Sequence, residues 1–194
     1  MKFLILLLLS TSVLALKPHT ATYTLSVSDF EIAQVKIALR KKGDVYTYTL
    51  DAQTEGLAFL IKDYQIRSKS TFTLNQFGLQ SQRYQNFERD GNQVKKDIDI
   101  YLKKMQVDPL NQTLSISNAL AKNSNEKNFY LLLNNGESIA KKYYQQVQNN
   151  SSNLIHVISS DGNTEVYFAR NKYYIPVLIR NKDFTYKLNS VNFN

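Results

Sequence analysis

The chain has no cysteine and no tryptophan, and only two histidines and six glycines among its 194 residues. Without cysteine there is no disulfide, no Cys-based zinc site and no thiol to carry a lipid anchor, so stability must come from core and sheet. The two histidines, His19 and His156, are too few and too far apart for a metal cluster. His156 sits mid-strand on the face of Leu154 and Ile158, and reads as a buried, hydrogen-bonded side chain. The glycines form no phosphate-cradling loop, and no serine has a G-x-S-x-G setting. Asp97 and Asp99 resemble a carboxylate pair, but they alternate with Ile98 and Ile100, which puts them on the solvent face beside Lys95 and Lys103. No catalytic residue, metal ligand or cofactor site is assigned, and the chain is not read as an enzyme.

Acidic residues are also in deficit, 16 against 24 lysines and arginines, for a net charge of +8. The cations are spread thinly: Arg40-Lys41-Lys42, Lys95-Lys96, Lys103-Lys104, Lys141-Lys142. That distribution suits the solvated ends of strands, with attraction to anionic lipid headgroups or envelope polysaccharide as the functional alternative. It does not make the basic stripe of a nucleic-acid binder.

Met1 to Ala15 stands apart. Lys2 is followed by the apolar run Phe3 to Leu9, and Val13 and Ala15 are the small residues a signal peptidase selects. The run is too short to span a bilayer, and no transmembrane-length run follows it. A cleavable signal with the mature chain starting at Leu16 is expected, giving a periplasmic protein of one domain, residues 16–194.

What the sequence has in abundance is alternation. Apolar or aromatic residues recur at every second position in Tyr23-Leu25-Val27, Ala33-Val35-Ile37-Leu39, Tyr46-Tyr48-Leu50, Ile66 to Leu74, Leu79 to Phe87 and Ile98-Ile100-Leu102. This is the period of half-buried antiparallel strands. Lys42-Gly43-Asp44, Asn75 to Gly78 and Asp90-Gly91-Asn92 supply the turns of a first meander. A second runs from Phe129 through Asn134-Asn135-Gly136, Ser138 to Gln148, Leu154 to Ser159, Glu165 to Ala169 and Tyr173 to Arg180, ending with Phe184 to Val191. Thirteen tyrosines and ten phenylalanines fall largely on these strands, the adjacent pairs Tyr143-Tyr144 and Tyr173-Tyr174 placing one ring on either face. The reading is mainly β: a strongly curved antiparallel sheet or incomplete barrel with one or two short helices packed on it.

Two stretches break the alternation. Gly56 to Ile61 is apolar throughout, with Leu57, Leu60, Ile61 and Tyr64 at helical spacing. Leu57, Phe59, Leu60 and Ile61 are the candidate ligand-binding residues, as a lid hinged at Gly56. Asp108-Pro109 is the best helix start, Asp capping free amides and Pro taking the first position. A helix over Pro109 to Ala121 is predicted, its arc of Leu110, Leu114, Ile116, Leu120 and Ala121 packed on the sheet as core.

The run Val166 to Arg180, with its polar turn Asn171-Lys172 and the strand Ile175-Pro176-Val177, resembles the closing strands of an exported bacterial family, domain of unknown function 3108. Thr54 to Ile61, and Asp108-Pro109 leading to Leu114-Ser115, are similar to that family as well. Glycine is missing from Asp29 to Ala33, where the family usually has one, and Tyr167 or Phe168 stands where tryptophan is common. The resemblance implies periplasmic export and a β-rich fold, and brings no catalytic residues. More loosely, it looks like the half-barrels of periplasmic lipoprotein carriers. The function expected is non-catalytic binding of an acyl chain or other apolar envelope ligand in the concave face. The alternative is an envelope structural or protein-interaction module using a basic outer face or a sheet edge. The partners expected are accordingly an apolar or anionic lipid, or an envelope protein.

Overall fold

The structure, a computed structural model, describes residues 16–28, 30–54, 63–148 and 153–194. The long alternating stretches form the strands they predict. β1 (His19–Val27), β2 (Phe30–Lys42), β3 (Val45–Thr54), β4 (Tyr64–Asn75), β5 (Gly78–Asp90) and β6 (Gln93–Tyr101) make the first meander. The short β7 (Gln106–Val107) and the helix α1 (Gln112–Lys122) lead into the second, β8 (Asn128–Asn134), β9 (Ile139–Val147), β10 (Leu154–Ser159), β11 (Thr164–Ala169), β12 (Ile175–Asn181) and β13 (Thr185–Phe193).

Among the described residues the thirteen strands belong to one sheet, ordered β6-β5-β4-β3-β2-β1-β13-β12-β11-β10-β9-β8-β7. The seam between the meanders is the antiparallel pairing of the first and last strands, with Tyr23 opposite Leu188 and Ala21 opposite Val191. Below it the Tyr23 hydroxyl donates to the Pro176 carbonyl at 2.8 Å, tying β1 to β12. Every pairing among the described residues is antiparallel except β7 with β8.

The sheet curls but does not close. Its two ends approach without a ladder between β6 and the β7–β8 end. Instead the β8–β9 hairpin tip lies on β6: a Cβ at Gly136, where φ is +90°, would fall 2.6 Å from Ile98 Cγ2. Around the bend after β6, Leu102 N donates to Gln82 O at 2.9 Å, and Met105 N donates to Gln80 Oε1 at 3.3 Å.

The inner face carries three apolar clusters. One gathers β1, β2 and β3 around Tyr23, Val35 and Ala52. A second joins Leu16, Leu39, Tyr48, Phe72 and Leu79 to Leu114 of α1. The third joins Ile116 and Leu120 of α1 to Phe129, Ile155, Val157, Val166 and Phe168. The helix therefore packs against both halves, touching β5 on one side and β8 and β12 on the other.

Three local expectations are corrected. The helix begins at Gln112, because Pro109 to Asn111 form a turn of their own ahead of it. Tyr173 and Tyr174 are not strand residues: they follow a 3₁₀ turn over Arg170–Lys172 and both have positive φ, +53° and +56°. His156 is on the outer face, opposite to Ile155 and Val157. It stacks on Tyr167 with ring centroids 4.3 Å apart, and its Nε2 lies 3.7 Å from Glu165 without a hydrogen bond. Mid-strand alternation identifies the face a residue shares with its neighbours; it does not say which face points inward.

Candidate functional site

A buried polar knot fixes the approach to α1. Ser70 on β4, Ser81 on β5, and Asp108 and Asn111 in the turn before the helix are all buried. Ser70 Oγ donates to Asp108 Oδ2 at 2.6 Å, and Asn111 N donates to Asp108 Oδ1 at 2.9 Å. Asn111 Nδ2 lies 2.6 Å from Ser70 Oγ, 3.0 Å from Ser81 Oγ and 2.9 Å from Asp108 Oδ2. Asp108 thus caps a turn rather than the helix itself, whose N-cap Asn111 makes no side-chain capping bond. Burial raises the Asp108 carboxyl above the ordinary range, an effect partly offset by the hydrogen bonds from Ser70, the Asn111 amide and Ser81. The knot has no opening to a substrate, and its consequence is positional. It pins the start of α1 to two adjacent strands, so the rest of the helix is held at a set distance from the β7–β8 end.

Between that helix and the β7–β8 end lies a half-open cleft of about 830 Å³. Leu79, Val107, Ile116, Phe129 and Leu131 line its deep side and belong to the apolar clusters of the core. Phe77, Met105 and Tyr130 stand at its mouth and are solvent-exposed. The volume and the mostly apolar lining are those of a small-ligand site. The α1 side differs: Ser115, Asn118 and Lys122 form a polar stripe along the cleft, at the spacings of three and four that share one helix face. Asn118 is only 3% exposed, and neither its Oδ1 nor Ser115 Oγ has a hydrogen-bond partner among the described residues. At the rim Lys122 Nζ reaches the carbonyls of Asn75 and Gln76 at 3.3 and 3.4 Å. Lys104 is the second rim cation and Glu126 the one rim carboxylate, the latter 3.4 Å from Asn123 Nδ2.

The candidate residues read from sequence, Leu57, Phe59, Leu60 and Ile61, lie outside the described residues. So does the stretch Met1 to Ala15. Asp99 is on the outer face as expected, but its partner is Arg83 of β5, with Nη2 2.5 Å and Nε 2.8 Å away. Among the described residues no group of three or more His, Cys, Asp or Glu could hold a metal, and no helix is long and apolar enough to cross a membrane. The apolar arc of the helix predicted over Pro109 to Ala121 points to core packing throughout that stretch. The stripe of Ser115, Asn118 and Lys122, at i, i+3 and i+7, was the signal that distinguished a second face.

No family model and no curated protein matches this chain. Among solved structures it is similar to a β-barrel-like protein of domain of unknown function DUF1849 from Brucella abortus. The identity is 13%, the match covers 92% of this chain and 98% of that one, and the TM-score is 0.54. At that identity the likeness concerns the fold alone, a β-barrel-like domain of unknown function. The narrower resemblance to domain of unknown function 3108 has no family-model match behind it.

Proposed function

We propose that the protein is an exported, non-catalytic binder of an anionic acyl amphiphile, held in the cleft between α1 and the β7–β8 end with its charged head at Lys104 and Lys122. The observation that carries this reading is the pairing of an apolar cleft of about 830 Å³ with two rim lysines, neither in an ion pair with a carboxylate among the described residues. A hydrocarbon chain gains roughly 0.8 kcal/mol per buried CH₂, and a rim cation orients the head. The alternative, an interaction module working through a sheet edge, draws on β6, which among the described residues pairs only with β5. That edge carries Lys95, Lys96 and Asp97 in succession and Asp99 between Ile98 and Ile100, the kind of charge pattern that discourages strand addition.

The test is titration of the protein with palmitate, alongside the double variant Lys104→Glu, Lys122→Glu. Binding by the wild type and a loss of about tenfold or more in the variant, through reversal of charge at the rim, are the expected outcomes. Absence of binding, or equal binding by the variant, overturns the reading. Protein purified from the cell envelope for this titration should have a mass beginning at Leu16, and retention of Met1 to Ala15 would count against export.

A further inference from the structure

The mouth of the cleft carries large apolar side chains where the chain geometry does not ask for them. Phe77 is 77% exposed and Met105 66%. Both occupy tight turns, whose usual residues are glycine, asparagine, aspartate and serine. The first turn is set by Asn75, whose Oδ1 accepts from Phe77 N at 2.8 Å, and by Gly78 at φ +118°. In the second, Lys103 N donates to Gln106 Oε1 at 3.0 Å and Gln106 N donates to Lys103 O at 3.1 Å. Met105 itself has φ +67°, a left-handed conformation that a long side chain seldom adopts. Two ordered turns thus hold two apolar side chains out in solvent. Tyr130, at the same mouth, packs on Tyr143 with ring centroids 5.1 Å apart, and both rings are exposed.

The charge around these side chains is mostly of one sign. Lys104 adjoins Met105, and Lys122 reaches the Phe77 turn through the carbonyls of Asn75 and Gln76. Lys103 and Lys127, each next in the chain to a lining residue, are exposed as well. Glu126 is the one carboxylate among the described residues that line the cleft. From this we infer that the mouth of the cleft is a docking surface for an anionic lipid bilayer. Phe77, Met105 and Tyr130 enter the boundary between headgroups and acyl chains, and the lysines stay with the lipid phosphates. A second copy of the chain suits the surface less well, because it brings the same excess of lysine to the contact. Docking rests on the exposed side chains alone. Its consequence, that an acyl chain passes between bilayer and cleft without crossing water, rests on the amphiphile reading above.

The experiment uses vesicles of phosphatidylcholine alone and of phosphatidylcholine with about one-third phosphatidylglycerol. The chain has no tryptophan, so Phe77→Trp places a single reporter at the mouth. Phe30→Trp places one at an equally exposed position, 76%, at the opposite ends of the strands. Anionic vesicles should shift the Phe77→Trp emission to the blue and leave that of Phe30→Trp unmoved. In cosedimentation the wild type should bind anionic vesicles at least about tenfold more tightly than neutral ones. The double variant Phe77→Ser, Met105→Ser should bind them about tenfold more weakly than the wild type. Its net charge is unchanged, so diffuse attraction of a chain of charge +8 does not account for such a loss. Thermal melts establish that the variants are folded. Equal shifts at both reporters, no shift at Phe77→Trp, or undiminished vesicle binding by the double variant overturns the inference. Self-association that the double variant abolishes, without vesicle binding, assigns the surface to a second copy and overturns it too. These measurements contain no palmitate and the palmitate titration contains no vesicles, so either reading can fail while the other stands.

Discussion

Asp108 is a carboxyl with no exposed surface, no ion-pair partner among the described residues and three kinds of donor around it. Its hydrogen bonds favour the ionised form and its burial disfavours it, and burial is the larger effect. The sign for stability follows. An acid whose folded value is raised holds its proton more tightly in the folded state, so stability falls as pH rises from the unfolded value, about 3.9, through the raised folded one. Removing the group should reveal this. Asp108→Asn loses an acceptor facing Ser70 or the Asn111 amide and should cost about 1–3 kcal/mol. That cost should be greatest near pH 4 and shrink toward neutral pH, measured by urea unfolding of both proteins across the range. A cost that grows with pH would mean that the hydrogen bonds outweigh burial. Asp99 and Asp161 work in the opposite direction, being lowered by hydrogen bonds from Arg83 and from Ser159 respectively, but both are present in wild type and variant and cancel in the comparison.

At the scale of elements, the β8–β9 hairpin does what no strand pairing does, and brings one end of the open sheet against the other. Its tip residue Gly136 combines a left-handed backbone with contact against Ile98, a β-branched side chain with little rotamer freedom. Gly136→Ala should therefore destabilise by about 1–3 kcal/mol, whereas the same substitution at Gly43, which meets nothing within 4 Å, should show only the smaller cost of its backbone conformation. Equal effects in thermal unfolding would deny that the tip seals the barrel end. The contrast also shows what sequence could reach. Asn134-Asn135-Gly136 announces a hairpin through local turn chemistry, and the alternation of Tyr46, Tyr48 and Leu50 announces a strand and which side chains share a face. Both are signals contained in a few consecutive residues. That Gly136 would lie on Ile98, or that Ser70 would meet Asp108, depends on how far the sheet curls, which no local pattern encodes. The same limit explains α1. Its apolar arc was legible, but the helix start moved to Gln112 because Asp108 found tertiary partners in Ser70 and Ser81, and the cleft exists only where β7 and β8 stand off from Ser115 and Asn118.

For the whole molecule the question is whether two meanders, each with apolar clusters of its own, unfold as one. Besides the contact of the Gly136 hairpin tip with Ile98, two larger connections join them. One is the β1–β13 seam, with Tyr186, Leu188 and Val191 packed against the cluster around Tyr23 and Val35. The other is α1, whose Leu114 enters the cluster of the first half while Ile116 and Leu120 enter that of the second. Leu114 is 1% exposed, so Leu114→Asp places an unpaired carboxyl in apolar surroundings and should cost about 3 kcal/mol or more. If α1 is the coupling element, wild-type unfolding in urea is a single transition that coincides by far- and near-ultraviolet circular dichroism, and in Leu114→Asp the two probes separate as the first half loosens before the second. The seam alone predicts something else: the variant would melt at lower urea in one coincident step, because thirteen strands sharing a continuous ladder would still propagate unfolding from one half to the other. The helix has the better claim, since the seam is a single strand pair broken by a register shift between Thr22 and Tyr23, whereas α1 is clamped to β4 and β5 by the Asp108 knot and reaches β12 on the far side.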